Sequence, residues 1–546
     1  MLGTMSDEPL SLATLLDYAI KVHSRSQITT WTPQGRQRLS FADIGLRAAG
    51  LAHGLRSLGV VQGDRVATYA WNNNEHAVAY FAVPAMGAVL HTLNIRLFTE
   101  QNIYIANHAG DKVVIVDGSL TERFAEILPH LTTVEHVIVT GEPQVDMQAP
   151  AGVAIHSFDE LLDSQPDEFA WPILDERAAA AACYTSGTTG DPKGVIYSHR
   201  SIWLHSLQVS ASYGMQLAAR DNGLVIVPMF HAMGWGIPHG ALLTGASLTL
   251  PDRYLHPPEL ADLLAQERPT FAAAVPTIWI GMLQQLDASG QDVSHLRDVF
   301  VGGSAVPPAL MRAFSERHGV EITQAWGMTE TSPLGFVAAP PPDVDNDTAW
   351  SYRQKQGRLL PGVQARLIDH LGQQLPWDGR SIGELEVRGP WITGSYYDPT
   401  QTTGADSEKF NDGWLRTGDV GSLTHDGYLA LSDRTKDVIK SGGEWISSVD
   451  LENAVMAHSA VIEAAVIGVP DPKWDERPLV AVVLTNNTDV SAKELRDHLA
   501  PTFAKWQIPE HWTFVTEVPK TSVGKFDKKK LRSRYKDGEL TVITLT

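Results

Sequence analysis

Between residues 40 and 325 the chain alternates short β-branched runs with stretches of helical hydrophobic spacing, and this rhythm commits it to an α/β architecture. Residues 41–58 carry apolar side chains at helical spacing and stop at Gly59. The segment 65–70 reads as a buried strand, 77–90 as a helix, and 113–116 and 137–139 as short strands. The pattern resumes with strands at 224–227, 271–275, 299–301 and 321–324 and a helix at 258–266. Strands separated by helices pair in parallel, and parallel sheets need helices over both faces. After the proline-rich loop 340–345, the segments 363–369 and 383–388 suit a smaller β-rich region. The pattern restarts beyond Asp433-Arg434-Thr435-Lys436: helix at 448–457, strands at 464–468 and 480–484, helix at 492–499. With 546 residues, the chain exceeds a single ordinary core, and this tail of about a hundred residues is expected to be a domain of its own.

The most specific chemistry lies at residues 184–194, Tyr-Thr-Ser-Gly-Thr-Thr-Gly-Asp-Pro-Lys-Gly. Glycines let backbone N–H groups converge on an anion, hydroxyls add donors, and Lys193 adds a point charge. Such a loop holds a polyphosphate. It is not a Walker A loop, because Pro192 stands where that motif has a glycine before the lysine.

Charge and cysteine content narrow the classes further. A formal net charge of −20 leaves no broad basic surface for nucleic acid. Only residues 525–534 form a local basic cluster, and Lys528, Lys529, Lys530 and Arg532 are expected as a solvated helix face. The lone cysteine, Cys183, excludes an internal disulfide and a cysteine-built zinc site. The N-terminus shows no signal-peptide pattern, and the apolar run 77–90 is too short to span a bilayer. A cytoplasmic enzyme without integral membrane association is expected.

Residue for residue, 184–194 resembles the phosphate loop of the AMP-forming adenylate synthetases, the superfamily of acyl- and aryl-CoA ligases, peptide-synthetase adenylation domains and luciferases. Further motifs follow in that family's order: Gly302-Gly303-Ser304-Ala305, Trp326-Gly327-Met328-Thr329-Glu330, Thr417-Gly418-Asp419, the stretch 433–452 and 519–525. The sequence looks most similar to the medium- and long-chain fatty acyl-CoA ligases and the 3-methylthiopropionate-CoA ligases. The resemblance implies a large N-terminal domain of parallel αβαβα layers plus a β-rich subdomain (1–432), a hinge (433–436), and a small mobile α+β C-terminal domain (437–546). Some relatives pair through the N-terminal domain, so a homodimer is expected.

It also implies roles. Thr185, Ser186, Gly187, Thr188, Thr189, Gly190 and Lys193 would close over the β- and γ-phosphates of ATP, with Thr185 and Glu330 as Mg2+ ligands. Gly303, Ser304, Ala305 and Trp326 would form the adenine pocket, Thr329 would contact the α-phosphate, and Gly327 and Met328 would border nucleotide and acid alike. Asp419 would bridge the ribose hydroxyls, with Arg434 at the same edge. His231, Trp235, Gly302 and Pro333 would surround the acid, Trp235 as a swinging gate. Thr277, Thr331 and Leu334 are further candidates for lining the acyl slot. Lys436 would be the hinge residue, and Ser441, Gly442, Gly443, Glu444 and Trp445 the loop that meets coenzyme A. Lys525 would be the adenylation lysine. Taken singly, several of these have plain structural readings: a packed tryptophan, a capping glutamate, a core histidine. Their order along one chain favours the ligase.

The expected activity is therefore ATP-dependent ligation of a short- or medium-chain acid to coenzyme A through an acyl-AMP, releasing AMP and pyrophosphate. Ligation of 3-methylthiopropionate, or loading of a carrier protein, are the alternatives.

Overall fold

In the computed structural model the described residues are 3–163, 165–185, 191–369, 371–400, 408–441, 444–485, 488, 490–521 and 524–545. Three sheets organise them. The first runs Ala154–Ser157, His136–Thr140, Asp111–Asp117, Arg65–Tyr69, Val89–Thr92, Ala179–Tyr184, Gly194–Ser198, all parallel except the last pair. The second carries the parallel order Ser247–Leu250, Asn222–Val225, Phe271–Ala274, Asp298–Gly302, Glu321–Gly327, then turns antiparallel through Leu334–Val337, Gly357–Leu359, Tyr428–Arg434, Trp414–Leu423 and Gly383–Arg388. The small third sheet holds the hairpin Val461–Asp471/Asp475–Leu484 with His511–Phe514 parallel to it.

The physical basis is burial on both faces. The helix Asn74–Ala85 buries all of its residues but Glu75, which suits a position between sheets rather than at a surface. It belongs to a continuous core with Leu51, Leu90, Ile115, Val225 and Phe271 that joins the two large sheets. The helix expected at 77–90 ends earlier than its composition suggests. Gly87, at φ +90°, breaks it, and Val89–Thr92 forms a strand. A Cβ at Gly87 would lie 3.0 Å from Leu174. Apolar spacing alone does not separate a buried helix from a buried strand.

The fold is thus α/β, with a large N-terminal and a small C-terminal domain. The chain passes between them over residues 435–438, from the strand Tyr428–Arg434 to the strand Ile439–Ser441. Among the described residues no helix is long and apolar enough to cross a membrane.

Candidate active site

The strand Ala179–Tyr184 and the strand Gly194–Ser198 form the stem of the glycine- and hydroxyl-rich loop, with Tyr184 opposite Gly194. Thr185 N–H donates to Lys193 O at 2.9 Å, and Lys193 N–H donates to Thr185 Oγ1 at 3.1 Å. The neck is therefore closed by its own ends, while Ser186, Gly187, Thr188, Thr189 and Gly190 lie outside the described residues. Lys193 reaches over the Tyr396 ring, 4.8 Å from its centroid, and Tyr396 Oη–H donates to Glu330 Oε1 at 2.5 Å. One tyrosine thus touches both the loop's cation and the buried glutamate. Glu330 is 5% exposed, so the polar contact matters for keeping its carboxylate in a fixed orientation.

Two cavities open beside this group, of about 670 and about 550 Å3. The first is bordered by Thr185, Lys193, Glu330, His231, Trp235 and Pro333, with Gly302, Gly327, Met328, Thr329 and Leu334 also on its wall. The second is bordered by Ser304 and Ala305 and by Thr277, Asp419 and Asp437. Gly303, Ala325, Trp326, Gly327, Arg434, Lys436 and Lys525 border both. Lys525, from the small domain, is the partition: a Cβ added at Gly303 would meet its Cε at 3.0 Å. Gly303 sits at φ +90°, so a side chain there is strained as well as crowded. Thr277 Oγ1 donates to Gly524 O at 3.2 Å, fixing the lysine's loop against the large domain. Thr277 borders the second cavity and not the first. Thr331, fully buried and bonded through Oγ1 to Met328 and Pro333, reaches neither cavity.

Charge is concentrated at the partition. Burial brings the Lys525 ammonium down to about 8, with Arg434 adding to the shift and Asp419 and Glu330 opposing it. Asp419 accepts the Trp326 Nε1–H at 2.8 Å and lies 3.2 Å from Arg434 Nε, so indole, carboxylate and guanidinium form one row. The His231 ring is pushed down to about 3 by burial, then by the Lys525 and Arg96 charges, and is neutral at physiological pH.

Trp235 closes the apolar side. It lies on a left-handed turn in which Ala232, Met233, Gly234 and Trp235 have φ of 44°, 55°, 57° and 56°. Left-handed backbone costs each non-glycine residue roughly 1–2 kcal/mol, so tertiary packing must hold the turn. Two glycines allow that packing. A Cβ at Gly302 would come within 3.2 Å of the Trp235 ring, and one at Gly236 within 2.5 Å of His205. His205 in turn accepts the Leu334 N–H through Nε2 at 3.1 Å.

Ser441 and the strand Glu444–Ile446 stand apart, at the edge of the small sheet, and none of the described residues there borders a cavity. Gly442 and Gly443 lie outside the described residues, and of the Glu444 and Trp445 side chains nothing is described. Ser441 Oγ accepts from Arg477 Nη1 at 3.0 Å, and Arg477 also donates to the Trp506 and Ile508 carbonyls. Lys529 and Lys530 are exposed, as expected of a solvated basic face, but the side formed by Lys528 and Arg532 is not. Lys528 is paired with Glu452 at 2.8 Å and Arg532 with Asp437 at 2.7 Å, because this face packs on the small domain and the crossing segment. Sequence reasoning also missed Tyr396 and Arg96. Tyr396 is one of two adjacent tyrosines with no spacing signal. Arg96 lies 5.9 Å from the Phe230 ring centroid, and its charge helps to hold the His231 ring down.

Residues 17–397 match the AMP-binding enzyme family and 450–525 match the AMP-binding enzyme C-terminal domain. The chain is 44% identical to a long-chain-fatty-acid–CoA ligase of Thermus thermophilus, covering 98% of this chain and 97% of that one. It is 41% identical to a 3-methylmercaptopropionyl-CoA ligase of Ruegeria lacuscaerulensis, covering 98% and 99%. Its structure superposes on an anthranilate CoA ligase in complex with anthranoyl-AMP with a TM-score of 0.87 at 27% identity, covering 98% and 100%. With a glycine- and hydroxyl-rich loop beside two cavities that a lysine divides, and matches along nearly its whole length, the chain belongs to the AMP-binding enzyme family and is an acid–CoA ligase that works through an acyl-adenylate.

Proposed function

We propose that this ligase activates a short- to medium-chain aliphatic acid. The observation that carries the reading is the Trp235 ring, packed against Gly302 so that it caps the apolar side of the cavity holding His231, Glu330 and Lys525. An acid enters with its tail toward Trp235 and its carboxylate toward Lys525. The neutral His231 can donate or accept a hydrogen bond there without adding a third cation. The 184–194 loop clasps the β- and γ-phosphates, the row Trp326–Asp419–Arg434 receives adenine and ribose, and Gly303, Ser304 and Ala305 form the adenine wall. Lys525 then draws the carboxylate and the α-phosphate together and offsets charge as pyrophosphate leaves. Glu330 and Thr185 offer the hard oxygens that Mg2+ prefers, and the small number of protein ligands fits an ion held mainly by phosphates and water. Mg2+ bound there would neutralise the triphosphate. For the second step the small domain turns about Lys436, Lys525 withdraws, and the loop from Ser441 through Gly442, Gly443 and Glu444 to Trp445 comes to the thiol path, where coenzyme A displaces AMP.

A panel of acids from acetate to palmitate, with methylthiopropionate and benzoate included, tests the choice of substrate. Each buried methylene is worth about 0.8 kcal/mol, so kcat/KM is expected to climb about fourfold per carbon until the slot ends. A maximum at palmitate or benzoate would contradict a slot capped by Trp235. Methylthiopropionate is the second reading, favoured by the Ruegeria relative and by the similar packing of a thioether and a methylene. It is expected to match an acid of the same chain length.

The reaction also has a pH signature. Lys525 acts as a cation and its ammonium titrates at about 8 in the free enzyme. Adenylation kcat/KM should fall as pH rises through about 8, and His231, neutral down to about 3, should contribute no step between pH 5 and 8. A profile flat to pH 9.5 would contradict this.

A further inference from the structure

Ser432 and Asp433 end the large domain, and Asp433 pairs in register with Val420 inside the second sheet. Ser447 and Ser448 lie beyond the crossing segment, at the N-cap and first position of the small-domain helix Ser448–Met456. The two pairs meet across the domain boundary. Ser447 Oγ–H donates to Ser432 O at 2.5 Å while accepting the Asp450 N–H at 3.1 Å. A single Asp433 oxygen accepts both the Ser448 N–H, at 2.7 Å, and the Ser448 Oγ–H, at 2.5 Å. Asp433 is 4% exposed, and its charge faces the positive end of the helix, where first-turn N–H groups lack intrahelical acceptors.

Lys528 completes the contact. Its ammonium donates to Ser448 Oγ at 2.6 Å and pairs with Glu452 at 2.8 Å. Lys528 opens the helix Lys528–Lys536, three residues after Lys525, and Arg532, one turn on, donates to Asp437 in the crossing segment at 2.7 Å. The segment that carries the partition lysine is thereby tied to a carboxylate fixed in the other domain.

The geometry points to Asp433 as a positioning residue: a latch that, by capping the Ser448–Met456 helix from the large domain, holds the small domain in the orientation that inserts Lys525. This rests on the reading above, in which Lys525 serves the first step and leaves before the second. Asp433 precedes Lys436 and Ser448 follows it, so a turn about Lys436 separates them. The latch weights only the adenylating orientation: Asp433 borders the second cavity, but one of its oxygens accepts the Arg434 N–H and the other is taken by Ser448.

The test compares two half-reactions in the full-length protein: pyrophosphate release from acid and ATP without coenzyme A, and thioester formation from pre-made acyl-adenylate with coenzyme A. Asp433→Ala should slow the first about 30-fold, the loss expected for two bonds to a charged acceptor offset by water. Ser448→Ala, which keeps the backbone N–H bond and the Ser447 cap, should slow it about fivefold. Both should form thioester within about twofold of the parent, a split that a merely structural lesion would not give. Equal losses in both half-reactions would overturn the latch. So would an unslowed first half-reaction in both variants while Lys525→Ala blocks it. If Lys525→Ala spares pyrophosphate release, the two-step reading fails on its own evidence and the latch falls with it.

Discussion

Lys525→Ala should cut pyrophosphate formation by about a thousandfold while leaving thioester formation from pre-made acyl-adenylate within a few fold of the parent. The magnitude follows from what the ammonium does at the partition. It is one preorganised charge in a water-poor site, and removing a single such donor costs about 3–4 kcal/mol of barrier. Two other cations at the first cavity are engaged elsewhere: Arg434 by Asp419, and Lys193 at the Tyr396 ring. Lys525→Arg should not rescue, because the planar guanidinium is larger and the lysine packs so close to Gly303 that a Cβ there would lie 3.0 Å from its Cε. Half-reaction assays with radiolabelled pyrophosphate measure the ratio directly. Equal loss in both steps would mean that the lysine shapes the site rather than driving one reaction in it.

Asp419→Ala should raise KM for ATP about a hundredfold with a smaller effect on the acid. The carboxylate accepts the Trp326 Nε1–H and holds Arg434, and at 6% exposure water does not replace it easily. Its loss leaves the indole N–H without an acceptor and the guanidinium without its counter-charge, costing roughly 1.5–3 kcal/mol per charged hydrogen bond. Arg434 keeps one side open to solvent, which moderates the stability cost. A second consequence is measurable. Asp419 holds the Lys525 ammonium up, so its removal should shift the alkaline fall in adenylation below about pH 8. Asp419→Asn, which keeps the Trp326 contact, should fall between the parent and the alanine variant. An unchanged KM for ATP would remove Asp419 from the nucleotide site.

Much of this architecture is legible from residue patterns, and the gaps have physical causes. The βαβ rhythm specifies parallel sheets because strands buried on both faces read as short β-branched runs, and Val113, Val114, Ile115 and Val116 are all buried. The same logic fails at 77–90, where helix and strand are equally apolar and only the backbone at Gly87 separates them. Motifs read well when their glycines carry steric demands. Gly302, Gly303 and Gly327 each stand where a Cβ would meet Trp235, Lys525 or Pro333. Residues that act through distant contacts leave no such trace. Tyr396 reaches Glu330 across 66 positions, and Asp433 reaches Ser448 across 15. Lys528 looked like one more solvated cation because its buried partner, Glu452, lies on another helix. The left-handed turn at Ala232–Gly236 was also invisible, since alanine, methionine and tryptophan do not advertise positive φ.

In the proposed cycle one lysine divides the reaction by occupying the boundary between two cavities and then leaving it. A crystal structure of the protein with a non-hydrolysable acyl-adenylate mimic and coenzyme A addresses it most directly. In that complex the small domain should be rotated about Lys436, Asp433 parted from Ser448, and Lys525 withdrawn from Gly303 into solvent. Coenzyme A bound with Lys525 still against Gly303 would contradict it.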